Sequence, residues 1–288
     1  MLVTVHAPGQ IPTARSGAKP PAVAGRGYVL EDGPQGRTLV VTGRWSGAIE
    51  RALRRPDVDG LALEAARGFT DGHLDRLDAD WGVRRLHVLD RAIADLRSIE
   101  RLGGSLRELS VHAAPGAALN LGALPHLESV AGDWPILRGT LGSVAGLRTA
   151  MAWGFDEPTL ADFGRHEGLE SLAVKDSPSL TSLAGLTGVR GTLRELELES
   201  CEGIDSLGPV AELGCLEFLG VSDCGDIASV RPLRGLERLR ALHAWGSTCI
   251  VDGDLSPLTT LPRLGEIRMR DRCRYRPRVA DCVLGDPV

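Results

Sequence analysis

Histidines and carboxylates are the side chains from which this chain could build acid–base or metal chemistry. The candidates are His87, His112 and His243, with Glu195, Glu197 and Glu199 at every second position of one short run. Such chemistry requires its groups within hydrogen-bond or ligation distance of one another. A second candidate is cationic: Arg268, Arg270, Arg272, Arg274, Arg276 and Arg278 alternate along one stretch. If that stretch were extended, all six guanidinium groups would share one side and could grip carboxylates or phosphates bidentately. The same charges would equally serve to guard the edge of a terminal strand against another molecule, and Pro277 ends the run as a terminus would. Nucleophilic chemistry finds no support. There is no Gly-x-Ser-x-Gly turn, no phosphate-cradling Gly-x-x-x-x-Gly-Lys-Ser/Thr loop and no Cys-x-x-Cys pair.

Whether any of these groups meet depends on the elements that carry them, and those elements repeat. A six-residue phrase, apolar-x-x-apolar-x-apolar, leads off at Val58, Val83, Leu106, Leu127, Leu147, Leu169, Leu193, Leu216, Leu239 and Leu264. Its longest interval is the 25 residues from Val58 to Val83 and its shortest the 20 from Leu127 to Leu147. Leu193-Arg-Glu-Leu196-Glu-Leu198 and Leu169-Glu-Ser-Leu172-Ala-Val174 are the clearest copies. The last two apolar positions stand two apart, so they point inward together from one short strand. A fixed period of this length means stacked units, not one closed core. Between the strands a second phrase recurs, as in Leu180-Thr-Ser-Leu183-Ala-Gly-Leu186, Ile204-Asp-Ser-Leu207 and Leu255-Ser-Pro-Leu258.

Together the two phrases, over residues 58–271, resemble leucine-rich repeats of the short bacterial, SDS22-like type. The resemblance implies an α/β solenoid: a curved parallel sheet on the concave side, 3-10 turns, short helices or loops on the convex side, and a cap at each end. It also implies a fold used mostly to bind proteins, with no binding residues that transfer. The match is uneven. The family's polar or Cys position inside each turn is filled by Ser177, Cys201, Cys224 and Ser247, but by Pro135 and Phe155 in the middle copies. Val130-Ala-Gly132 and Ala150-Met-Ala152 are also poor in Leu, so a kink or thinning is expected between 130 and 160.

The remaining text divides around the repeats. Residues 1–26, with four prolines and no periodicity, read as a flexible tail; 27–57, two short strand patterns and a short helix ending at Pro56, read as an N-terminal cap; 272–288 read as a C-terminal cap or tail. Hydrophobic residues make up 43% and aromatics 4%, which suits a core of stacked Leu and Val. The 33 basic and 38 acidic residues give a net charge of −5, so bulk charge offers no reason to expect nucleic acid or an acidic membrane. No basic segment with a long apolar run is found, and the six cysteines lack metal spacing. The expectation is a cytoplasmic, monomeric protein with free thiols, no metal and no cofactor.

Strand alternation sets which side chains face outward. One column reads Ala62, His87, Ser110, Ala131, Met151, Ala173, Glu197, Gly220, His243 and Arg268; the next reads Glu64, Leu89, His112, Asp133, Trp153, Lys175, Glu199, Ser222, Trp245 and Arg270. His243 stands six rungs beyond His112, about 29 Å at roughly 4.8 Å per rung, too far for one metal or acid–base site. Trp153, Trp245 and Met151 are residue types that anchor protein interfaces. Trp134 is either a further anchor or a plug for the leucine-poor middle. The reading is a non-catalytic protein- or peptide-binding module. Trp153, Trp245, Met151 and Trp134 would anchor its partner, and His87, His112, His243, Glu195, Glu197, Glu199, Arg268 and Arg270 would set orientation. The alternatives are a peptide-modifying enzyme on the same face, or an anion or nucleic-acid binder using Arg268 to Arg278.

Overall fold

The computed structural model describes residues 27–283, so the tail expected at 1–26 and the last five residues, 284–288, lie outside the described residues. The chain folds as a leucine-rich repeat solenoid with two compact units that divide between Gly146 and Leu147.

The first unit opens with a hairpin, β1 (Tyr28–Gly33) and β2 (Gly36–Val41), paired antiparallel from Tyr28 opposite Val41 to Gly33 opposite Gly36. Gly36 has φ of +123°, and a Cβ there would meet the Asp59 carboxylate at 2.6 Å, so the turn accepts only glycine. Helix α1 (Gly47–Leu53) buries Ile49, Ala52 and Leu53. The strands β3 (Val58–Glu64), β4 (Arg85–Leu89), β5 (Glu108–His112) and β6 (Ser129–Asp133) then follow in parallel, with β2 beside β3. Parallel order requires each strand to be followed by a return path. Here it is short and partly 3-10, at Arg97–Leu102 and Leu121–Ala123. The paired apolar positions Leu61 and Leu63, Leu86 and Val88, and Leu109 and Val111 are all buried. A one-turn helix, α2 (Trp134–Leu137), follows β6.

The second unit contains β7 (Thr149–Trp153), β8 (Ser171–Lys175), β9 (Glu195–Glu199), β10 (Phe218–Ser222), β11 (Asp226–Ile227), β12 (Ala241–Ala244), β13 (Cys249–Ile250) and β14 (Glu266–Met269). The order β7-β8-β9-β10-β12-β14 is parallel and in register, and β11 pairs with β13 on the return side. After β7, β8, β9, β10 and β12 the chain turns through a left-handed residue: Gly154, Asp176, Ser200, Asp223 and Gly246 have φ between +53° and +66°. The next inward side chain then plugs the turn. Phe155, Ser177, Cys201 and Cys224 do so, all buried. The polar ones also satisfy turn backbone. Ser177 Oγ accepts from Phe155 N at 3.1 Å and donates to the Lys175 carbonyl at 3.1 Å.

Two expectations need correction. Ser247 does not fill the fifth of these turns. It is exposed, and Thr248 is buried there, accepting from Cys224 N at 3.0 Å and donating to the Val221 carbonyl at 2.6 Å. The reason is one extra residue in that turn, held by Asp223 Oδ1, which accepts from Ser247 N at 2.9 Å. Pro135 is exposed as well, and Trp134 and Ile136 on either side of it are buried in its place. The leucine-poor middle is therefore filled by larger side chains, with Phe155 stacked at a tilt on Phe163 at 5.4 Å. The division between units falls inside 130–160, while β5–β6 and β7–β8 stay in register.

Candidate binding face

In the second unit, register places three face positions per strand side by side. Thr149, Met151 and Trp153 are followed by Ser171, Ala173 and Lys175, then Glu195, Glu197 and Glu199, then Phe218, Gly220 and Ser222. Ala241 and His243 come next, then Glu266 and Arg268. The three carboxylates of β9 do share one face, yet they are not bare. Lys175, itself buried, sends Nζ to Glu199 Oε2 at 2.7 Å and to Glu197 Oε1 at 3.5 Å. Burial works against its ammonium, but the hydrogen bond to Glu199 and the charge of Glu197 outweigh it and raise its pKa. Glu195 accepts from Ser171 Oγ at 3.1 Å, and burial pushes its pKa up.

Beyond the acidic row the face becomes aromatic and then cationic. Phe218 meets His243 edge-to-face with ring centres 4.8 Å apart. Gly220 is the register partner of His243, and a Cβ there would come within 3.2 Å of the Phe218 ring and 3.3 Å of Glu197 Cγ. His243 Nε2 is 3.1 Å from Glu266 Oε1, which also takes Arg268 Nε at 2.5 Å. Trp245, one residue past β12, is 60% exposed. Arg268 and Arg270 are exposed too.

The first unit has a different face. His112 Nδ1 lies 2.8 Å from Asp133 Oδ1, and Arg91 reaches both oxygens of that carboxylate at 3.0 and 2.9 Å. Burial alone would push the Asp133 carboxyl up, but His112 and Arg91 hold it below its ordinary value. His87 is half-buried, and desolvation, aided by Arg85, lowers its pKa. Arg85 is buried with Nη2 on Asp59 Oδ1 at 2.6 Å, and burial raises the pKa of the neighbouring Glu108.

Several expected site residues are placed otherwise. Trp134 is 1% exposed and belongs to the core, because α2 turns its ring inward next to Ile136 and Leu137. Met151 occupies a face position but is only 8% exposed, so its neighbours cover it and it offers a partner almost no area. Trp153 is half-buried. The arginine ladder does not exist as one surface, because β14 stops at Met269. Arg272 donates to the Thr248 carbonyl at 3.3 Å, Arg274 to Cys249 Sγ, and Arg276 to the Cys273 and Tyr275 carbonyls at 2.9 and 2.7 Å. Arg278 pairs with Asp271 at 2.9 Å. The cause is Tyr275, buried with its hydroxyl accepting from Ile250 N at 2.9 Å, which draws the chain out of strand geometry. Phe218 and Glu266 went unchosen from the sequence. Alternation along each strand marks their column as a third outward one, so the signal was present.

For chemistry, His112–Asp133 and His243–Glu266 have the contact that an acid–base reading requires. They lie on open sheet faces. Two surface hollows, one around Arg55, Asp57 and Trp81 and the other around Arg231, Asp254 and Thr260, contain no histidine. Among the described residues no cluster of three His, Cys, Asp or Glu could hold a metal ion. The neighbouring Cys224 thiol and burial hold the Cys201 thiol above its ordinary pKa, and burial pushes Cys282 up to about 11. Thiols so placed are poor nucleophiles.

No family model and no curated protein sequence matches the chain. Among solved structures, an internalin (inlF) from Listeria monocytogenes aligns over 81% of this chain and 70% of its own length, at 17% identity and a TM-score of 0.53. The leucine-rich repeat domain of the type III effector XopL covers 77% of this chain and 79% of its own length at 15% identity, with a TM-score of 0.49. A leucine-rich repeat protein of Leptospira interrogans covers 79% and 59% at 18% identity, with a TM-score of 0.46. The internalin likeness establishes the leucine-rich repeat fold and nothing finer.

Proposed function

We propose that the chain is a non-catalytic protein- or peptide-binding module whose partner docks on the open face of the second unit, with Trp245 as anchor. The observation that carries this is the exposed indole of Trp245, which follows β12 and so stands, in strand order, between the acidic row of β9 and Arg268 of β14. Covering the indole would bring on the order of 2–4 kcal/mol at about 25 cal/mol per Å². Free cysteines, four of them buried, support a reducing compartment such as the cytoplasm. Among the described residues no helix is long and apolar enough to cross a membrane. A monomer without cofactor belongs to the same reading.

The test is a peptide-display selection against the purified chain, followed by affinity measurement on the selected peptides. Trp245→Ala should weaken binding by about tenfold or more, while Arg190→Ala, exposed on the return side, should leave it unchanged. Equal affinity for Trp245→Ala and wild type would remove the reading. A second reading, acid–base chemistry on a peptide, draws on His112 held between Asp133 and the sheet. It requires turnover of a bound peptide that His112→Ala abolishes; binding without turnover would end it.

A further inference from the structure

Resting on that docking reading, we infer that the segment taken by this face is extended and carries a Lys or Arg and an Asp or Glu four residues apart, with an apolar side chain midway between them. Glu197, Gly220, His243 and Arg268 are register partners on β9, β10, β12 and β14. Three steps at about 4.8 Å separate Glu197 from Arg268 by roughly 14 Å. An extended chain covers that distance in four residues at about 3.4 Å each. Residues i, i+2 and i+4 of such a chain point to one side, so all three would reach the face together.

Each stop offers a different chemistry. At the first, the one ammonium of Lys175 meets two of three carboxylates, Glu199 and Glu197. Lys175 lies closer to Glu199 than to Glu197, and the Glu197 side chain is 43% exposed. The row therefore keeps a surplus of negative charge for an incoming cation. At the middle stop, Gly220 presents no side chain, and the floor is formed by the Phe218 ring beside it. His243 stands against that ring on the next strand, and Trp245 follows it by two residues, one past the end of β12. An apolar side chain of the partner would cover the Phe218 ring, which carries no polar group to strand. At the last stop, Arg268 has Nε on Glu266 Oε1 and is 66% exposed, so its guanidinium is open to an incoming carboxylate. Arg270 adds a second exposed cation nearby. Charges of opposite sign at the two ends fix the register of the bound segment.

The experiment is a random nonapeptide display library panned in parallel on wild type, Glu197→Lys, Glu197→Gln, Arg268→Glu and the double variant Glu197→Lys/Arg268→Glu. On wild type, enriched peptides should carry opposite charges four apart around an apolar residue. A synthetic peptide of that pattern should bind either single charge reversal about fivefold more weakly or worse. Panning on Glu197→Lys should select acidic residues at both ends, and Glu197→Gln should lose the preference for a basic residue. The double reversal should recover the paired-charge pattern. Enriched peptides that depend on Trp245 but show no charge spacing, or a pattern indifferent to Glu197→Lys, would overturn this inference and leave the docking reading standing. Peptides that ignore Trp245, or no enrichment on wild type, would sink both.

Discussion

Replacing Thr248 by Val tests how the last polar turn of the second unit is held together. The two side chains have nearly the same shape, so the change removes a hydroxyl and leaves packing almost intact. That hydroxyl accepts from the Cys224 amide at 3.0 Å and donates to the Val221 carbonyl at 2.6 Å, and Thr248, Cys224 and Val221 are all buried. Water cannot replace the lost partner at such a site. Each hydrogen bond contributes about 1 kcal/mol net, and a buried group left unpaired costs roughly 1–3 kcal/mol. For one donor and one acceptor the expected loss is about 2–4 kcal/mol. Urea unfolding would report it, provided both variants show the same slope. Amide exchange supplies a local readout, since the Cys224 N–H should lose protection more than amides in β3 to β6. Ser247→Ala is the control, an exposed side chain whose removal should cost under about 0.5 kcal/mol. If Ser247→Ala proved as costly as Thr248→Val, or if Thr248→Val cost less than about 0.5 kcal/mol, the assignment of the turn position would be wrong.

Other consequences can be checked alongside it. Gly154 and Gly246 both sit near φ of +65°, but a Cβ at 154 meets nothing within 4 Å, whereas one at 246 falls 2.0 Å from Asp223 Oδ1. Gly154→Ala should therefore cost about 1–2 kcal/mol of left-handed strain and Gly246→Ala distinctly more, with denaturant unfolding of the pair as the comparison. Trp134→Ala should destabilise by about 3–5 kcal/mol as a core truncation, while Trp245→Ala should leave the unfolding midpoint nearly unchanged; the reverse order would overturn their assignment to core and surface. Asp133, with its folded pKa below the ordinary 3.8, contributes stability that is present above the unfolded value and lost as pH falls through the folded one. Unfolding free energy measured from pH 7 downward should thus drop more steeply below about pH 4 in wild type than in Asp133→Asn.

The parts legible in the sequence are those that local geometry decides. Leu196 and Leu198 must point one way and Glu195, Glu197 and Glu199 the other, because alternation along a strand allows nothing else, and their burial follows it. That rule, applied to all three outward positions, also reaches Phe218 and Glu266. What escaped depends on events outside the strand. Thr248 took the place expected for Ser247 because its turn has one more residue than the turns at Ser177, Cys201 and Cys224, and a two-residue count from the strand end cannot absorb that insertion. The alternating arginines looked like one ribbon only while the strand was imagined to continue. Tyr275 ends that geometry by burying its ring and capping Ile250 N, a contact with a segment 25 residues earlier in the chain. Trp134 shows the same dependence. Gly132 stands at the inward position that Leu198 fills on β9, where a Cβ would lie 2.6 Å from the Val111 carbonyl, and the indole moves into the core because α2 begins at once after β6. A side chain's outward phase is therefore only a permission to be exposed. Trp245 keeps its exposure because it lies past the end of β12, whereas Met151, with the correct phase, is covered within the strand.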